Sequence, residues 1–283
     1  MLIQKQFETR FANYLSMVED GLERALPQGS ARVADLHAAM RYGVFPGGKR
    51  IRPMLVLAVT EALAGNLEDA VPAATALELL HCYTLIHDDL PCMDNDTMRR
   101  GLPTCHVRYG EATALLAGDA LLTLAFEQAA HALHAPALVV QLLARAAGAE
   151  GVIAGQAADL AAVASCSDVT AEQLTFIHAN KTAALFRCAA QMGVCAAGKG
   201  EEATCLKMLA RFGFSLGLAF QYMDDLLDAD EETAFSSVGV LGLDEVRARA
   251  GRYTDDALAS ITGLGAEAEA LRALARWMLE REA

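Results

Sequence analysis

Residues 77–94 read LELLHCYTLIHDDLPCMD. The apolar run from Leu77 to Ile86 predicts a buried helix, and Asp88, Asp89 and Asp94 stand at its end. Carboxylates in that position are costly unless they are hydrated, paired or bound to metal. Residues 212–228, FGFSLGLAFQYMDDLLD, repeat the arrangement with Asp224, Asp225 and Asp228. Asp224 and Asp228 are four apart, so on a helix they share a face, where like charges repel and gain nothing structurally. One acidic helix face is most often simply solvated. Two such motifs, each closing an otherwise apolar helix, predict an oxygen cage between facing helices. Mg²⁺ suits it, because that ion takes oxygen ligands and commonly bridges carboxylates to substrate phosphates.

The cations agree with a diphosphate–metal site. Arg99 and Arg100 follow the first motif closely, and residues 47–53, GGKRIRP, set Lys49, Arg50 and Arg52 behind a flexible glycine pair. The spacing of a phosphate-cradling G-x-x-x-x-G-K-[ST] loop is absent. The chain has only five lysines, and Lys49 and Lys181 both fall in informative segments.

Working outward, Ala and Leu recur across all 283 residues while aromatics are only 6%, a mixture that favours helices over strands. Breaks are expected at Gly47-Gly48, near Gly65-Asn66, at Ala135-Pro136, from Ser165 to Asp168, at 198–200 and from Asp230 to Gly242. Thr170 followed by Gln173 predicts a capping box opening the helix that carries Phe176 to Met192. No linker or short repeat divides the chain, so the expected fold is all-α, a single domain over residues 1–283. The net charge of −13 argues against nucleic acid as a partner, since duplex binding needs a basic footprint. The seven cysteines (82, 92, 105, 166, 188, 195 and 205) are odd in number and lack paired C-x-x-C spacing. They read as buried small hydrophobes in a reducing cytoplasm. The N-terminus has no apolar signal region, and Glu78, Asp119 and Asp159 break the longest apolar stretches. Neither a signal peptide nor a membrane span is expected.

The blocks GGKRIRP, LIHDDLPCMDNDTMRRGLPTCH, GQAADL, Lys181-Thr182 and GLAFQYMDDLLD, in that order, resemble the trans-isoprenyl diphosphate synthases, in particular bacterial farnesyl diphosphate synthases. The resemblance runs from about Met40 to Asp228. It implies a bundle of antiparallel helices around a deep cavity, normally a homodimer. It implies that Asp88, Asp89, Asp94 and Asp224 hold Mg²⁺, three ions with substrate bound, while Asp225 and Asp228 complete the second motif partly through water. Arg99, Lys181 and Gln221 would serve the allylic diphosphate, with Thr182 beside them. Lys49, Arg52, His81 and Arg100 match positions that bind isopentenyl diphosphate, and Gln156 and Asp159 match a cavity-lining motif. Tyr83, five residues before Asp88 and beside Thr84, would form the floor that limits product length. That favours the C15 product, farnesyl diphosphate, with C20 geranylgeranyl diphosphate as the alternative. His87 and His106 flank the site without a required role, since the released diphosphate can take the final proton.

The pattern breaks after Asp228. Family members usually carry a lysine-bearing loop there, but ADEETAFSSVGVLGLDEV has no lysine or arginine before Arg247. The segment also reads as short, as though residues were cut near Ala234-Phe235. Either the lysines are lost, which would weaken activity or mark a noncatalytic subunit of a prenyl synthase, or a loop is missing from this sequence. A class I terpene cyclase is a further rival, although its second metal motif normally mixes Asn, Ser or Thr with Glu.

Overall fold

Strong helix formers produce a helical chain, and the computed structural model is 78% helical. It describes residues 2–45, 47–165, 169–227 and 237–279. Asp228, Cys166 and the Ala234-Phe235 junction lie outside the described residues. In order the helices are α1 (Leu2–Ala25), α2 (Ala34–Val44), α3 (Ile51–Ala62), α4 (Leu67–Asp88), α5 (Cys105–Tyr109), α6 (Glu111–Ala130), α7 (Pro136–Ala147), α8 (Val152–Ser165), α9 (Ala171–Ile177), α10 (Ala184–Ala196), α11 (Ala203–Leu227), α12 (Ser237–Leu241), α13 (Leu243–Ser260) and α14 (Glu269–Leu279). A ribbon of β1 (Met98–Arg99) and β2 (Leu102–Pro103) follows the first acidic motif.

Helices α3 and α4 pack against each other at the centre, with α1, α6 and α10 around them. Both are apolar on all sides, which is the pattern of a buried rather than a surface helix. In α1 the buried positions Tyr14, Val18 and Leu22 recur every fourth residue and give a single packed face. One apolar cluster draws side chains from Tyr14 to Met278, and a smaller one joins Tyr222 of α11 to Val246 and Ala250 of α13.

Local signals set the boundaries. The Asn66 side chain accepts from the Glu68 N–H at 3.3 Å and opens α4. The Thr170–Gln173 capping box forms with both of its bonds, at 2.9 and 3.2 Å. The helix it opens is not uniform, however. Residues His178–Ala183 form a π-helical segment between α9 and α10. The break expected from Asp230 to Gly242 is also shorter at its far end, because Ser237–Leu241 is helical.

Two stretches, 136–164 and Ala203–Leu227, have the length and apolarity of a membrane span, contrary to expectation. The first is broken by a turn at 148–151 into helices of 12 and 14 residues, each short of the roughly 20 residues that a span needs. The second is α11, which is packed between α10 and α13 and carries Gln221, Asp224 and Asp225. Its apolarity belongs to the interior.

The crossing of α10 and α11 is close because Gly213 has no side chain: a Cβ there would lie 2.4 Å from the Phe186 carbonyl oxygen. Gly213→Ala is therefore expected to force the helices apart and lower stability by about 1–3 kcal/mol. Thermal denaturation checks this, and an unchanged midpoint would show that the crossing has room.

Candidate active site

Helix α4 delivers the first acidic motif at its C-terminal end. The chain then folds back on itself, so that the Asp94 N–H donates to the Asp88 carbonyl at 2.9 Å. This tight loop brings Asp94 beside Asp88 although six residues separate them. Asp89 is buried, and its Oδ1 accepts from both Nε and Nη2 of Arg99, at 2.7 and 2.6 Å. Arg99 is held there by the β1–β2 hairpin. Its two-residue turn, Arg100-Gly101, has φ of 53° and 75°, the left-handed pair that a tight hairpin requires. The Tyr42 hydroxyl donates to the Pro103 carbonyl at 2.6 Å and ties the hairpin to α2.

Burial raises all three carboxyls of this motif. Asp88 is pushed up to about 7, mainly by desolvation, with the pull of Lys181 too weak to offset it and Asp94 adding to the rise. Asp89 and Asp94 are raised for the same first reason. Desolvation thus opposes the ionisation of all three carboxyls, and their donors are hard oxygens. That is the condition under which a divalent cation fits.

The second motif ends α11 and meets the π segment. Lys181 is bonded to Asp159 of α8 at 2.5 Å. The Thr182 hydroxyl donates to Gln221 Oε1 at 2.6 Å, and Gln221 Nε2 donates to Asp225 Oδ1 at 2.9 Å. The other Asp225 oxygen accepts from the Ser237 hydroxyl and lies 3.5 Å from His178 Nε2. Burial pushes the His178 imidazole down against the attraction of Asp225. His178, Gln221 and Asp225 line a cavity of about 160 Å³ with Asp159, Lys181 and Thr182. Asp224 attracts the Arg52 guanidinium electrostatically. Gln156 reaches toward Asp94 at 3.5 Å.

A larger cavity of about 460 Å³ is lined by Gly48, Lys49, Arg52, His81, Arg100 and Phe220, among others. Arg52 Nη1 is 3.3 Å from His81 Nε2, and its guanidinium lies over the Phe186 ring at 5.0 Å. Desolvation, then the nearby Arg52 and Arg100, hold the His81 imidazole well below its ordinary range, so it is neutral. Lys49, Arg52, His81 and Arg100, grouped by the family resemblance, line this one cavity.

The structure corrects several expectations. Arg50 does not serve this cavity as a free cation, because its guanidinium is wholly buried against Glu19 and Glu78. Among the described residues, which do not include Asp228, no three His, Cys, Asp or Glu side chains gather as a metal cluster. Asp225 in particular is engaged by Gln221, Ser237 and His178. His87 and His106 bond the Leu115 and Asp96 carbonyls, at 3.0 and 2.9 Å. Tyr83 is buried, with the His87 ring edge-on at 5.2 Å. Of the described cysteines only Cys92 is exposed. His178, Ser237 and Glu78 were not legible as site residues. Glu78 registers in the sequence only as a break in an apolar run, and His178 and Ser237 carry no spacing signal toward Asp225.

The raised Asp88 has a consequence for the metal-free protein. With an ordinary value of 3.8 and a folded value of about 7, the folded state binds the proton more tightly. The associated stability is fully present below pH ~4 and is lost as pH rises through ~7. Asp88→Asn should therefore raise the midpoint of thermal unfolding in chelator at pH 8, and the gain should shrink toward pH 4.5. A variant less stable than the native chain at pH 8 would mean that the carboxylate is paired.

Comparison with known proteins bears on the same residues. The polyprenyl synthetase family profile matches residues 33–236. The farnesyl diphosphate synthase of Escherichia coli (strain K12) is 41% identical over 267 residues, covering 86% of this chain and 88% of that one. The large subunit 1 of the chloroplastic heterodimeric geranylgeranyl pyrophosphate synthase of Arabidopsis thaliana is 43% identical over 225 residues, 77% of this chain. The alignment spans 60% of that relative's length. The crystal structure of an FPP/GFPP synthase from Zymomonas mobilis superposes with a TM-score of 0.91 at 35% identity, covering 97% of this chain and 99% of that one. Since the matched segment contains both acidic motifs and the residues of the cation-lined cavity, the chain belongs to the polyprenyl synthetase family.

Proposed function

We propose that the chain joins isopentenyl diphosphate to an allylic diphosphate, dimethylallyl or geranyl, and releases farnesyl diphosphate. The observation that carries this reading is the division of charge: carboxyls whose ionisation burial opposes lie at the end of α4, and a separate cavity is lined by Lys49, Arg52 and Arg100. One substrate diphosphate needs a metal and the other needs cations alone.

Asp88, Asp89, Asp94 and Asp224 would hold Mg²⁺, three ions with substrate bound, and Asp225 and Asp228 would complete the second motif. Bound there, Mg²⁺ withdraws charge from the departing diphosphate. Arg99, Lys181 and Gln221 orient the allylic diphosphate, and Lys49, Arg52, His81 and Arg100 bind the isopentenyl one. A neutral His81 donates a hydrogen bond without adding to the charge. The allylic C1–O bond breaks with its electron pair leaving on diphosphate, and the terminal double bond of isopentenyl diphosphate supplies the pair for the new C–C bond. The Thr182 and Gln221 dipoles favour the developing cation. A C2 proton then passes to the released diphosphate, so no histidine base is required. The reaction requires that water be excluded, since it would quench the cation.

The buried Tyr83 supports a C15 limit. Relatives named as geranylgeranyl synthases support a second reading, C20. A homodimer is supported by Leu115 and Leu116, which α6 leaves exposed beside the carbonyl that His87 bonds. The buried free thiols of Cys82, Cys105, Cys188, Cys195 and Cys205 favour a cytoplasmic location.

Incubation with Mg²⁺ and labelled isopentenyl and dimethylallyl diphosphates tests the reading. Linear C15 diphosphate is expected. C20 would favour the second reading, cyclic hydrocarbons a cyclase, and silence without a partner a noncatalytic subunit. Asp88→Ala and Asp224→Ala should each lower turnover by about a thousandfold with helical content intact, and near-native rates would remove the metal role. Tyr83→Ala should lengthen the product, whereas an unchanged chain length would move the floor elsewhere.

A further inference from the structure

The residue between the two cavity cations, Arg50, is built into the protein rather than toward a substrate. Its φ of 48° puts it in the left-handed region at the entrance to α3, a strained conformation for a residue with a side chain. Its side chain is fully buried and binds three separate elements. Nε donates to Glu19 of α1 at 2.8 Å, Nη1 to Glu78 of α4 at 2.6 Å, and Nη2 to the Val44 carbonyl at the end of α2 at 2.8 Å.

The glycine pair fits this arrangement. A Cβ at Gly47 would lie 2.5 Å from Nη2 of Arg50, and a Cβ at Gly48 would lie 2.6 Å from Nη2 of Arg100. Each glycine therefore seats a guanidinium against the loop backbone. One belongs to the buried tie and the other to the hairpin that also carries Arg99. Glu78 lines the cavity and attracts Arg52 as well as Arg50, so one carboxylate serves two neighbouring guanidiniums.

We propose that Arg50 is a positioning residue for the isopentenyl diphosphate site: its three bonds and its seat on Gly47 fix the loop whose flanking Lys49 and Arg52 face the diphosphate. This rests on the assignment of that cavity under Proposed function. A planar guanidinium has directed donors for three partners at once, whereas an ammonium on the same site keeps the charge but not the fork. Lysine is thus the informative replacement, and Gly47→Ala is the second, because it leaves Arg50 in place and fills its seat.

The test is steady-state kinetics of the full chain with Mg²⁺, together with calorimetric titration of inorganic diphosphate into the metal-free protein. For both Arg50→Lys and Gly47→Ala, KM for isopentenyl diphosphate is expected to rise about tenfold, with KM for geranyl diphosphate within about twofold of native. Diphosphate affinity should fall by a similar factor. Native KM and native diphosphate affinity in a folded Gly47→Ala would overturn the proposal, as would an equal rise in both KM values. If Arg50→Lys does not fold, Gly47→Ala and Glu78→Gln decide by the same readouts. A native chain that binds diphosphate but forms no product would refute the assigned activity alone, and reduced diphosphate binding in the variants would still support the positioning role.

Discussion

Ionised groups at the inner ends of apolar helices must be compensated, and the geometry of this protein follows from how nearly that is achieved. Asp89 receives Arg99, Asp159 receives Lys181, and Glu78 receives Arg50. Asp225 is satisfied by neutral donors, Gln221 and Ser237. After these pairings Asp88 retains a carboxyl whose ionisation burial opposes, with Asp94 raised beside it. Asp88 is half-buried and Asp94 exposed, so the pair stands at the edge of the interior. Carboxylates whose ionisation is opposed there are what a cation would favour.

Around these residues several backbone irregularities gather. The fold-back from Asp88 to Asp94, the left-handed Arg100-Gly101 turn, the left-handed Arg50 and the π segment under Lys181 and Thr182 all fall here. An α-helix offers side chains on one face only every third or fourth residue. Bringing Asp88 beside Asp94, or turning Arg99 and Arg100 to different partners, needs conformations that a regular helix does not contain. Such departures persist only where surrounding contacts over-determine them. The Tyr42 bond to Pro103 and the three ties on Arg50 supply those contacts.

The cation-lined cavity and the first acidic motif differ for the same reason. Around Lys49, Arg52 and Arg100 positive charge is in excess, and it is tolerated because His81 stays neutral and Glu78 stands close. At Asp88 and Asp94 the carboxyls are raised instead. Glu78, His81 and Asp88 belong to α4 and Asp89 caps it, so the four are supplied in just over three turns. That rigid helix sets the spacing between the two sites, which a loop would leave variable.

Sequence alone determined the elements and the chemical types. Apolar runs of helical period, the Thr170 cap and breaks such as Gly65-Asn66 mark α4, α9 and α11, because these signals act within a turn or two of the chain. Carboxylates closing two apolar helices and cations after a glycine pair were legible as candidate site residues for a similar reason: an apolar helix makes its polar end conspicuous. Tertiary structure alone decided which charges are spent and which remain. Nothing near Arg50 in sequence distinguishes it from Lys49 or Arg52, yet it is buried against Glu19 and Glu78 from helices far along the chain. Likewise Ser237 and His178 meet Asp225 only because α12 and the π segment pack against the end of α11. Ion pairs are made between elements at distances of a few ångströms, and sequence periodicity carries the faces of helices but not the partners those faces meet.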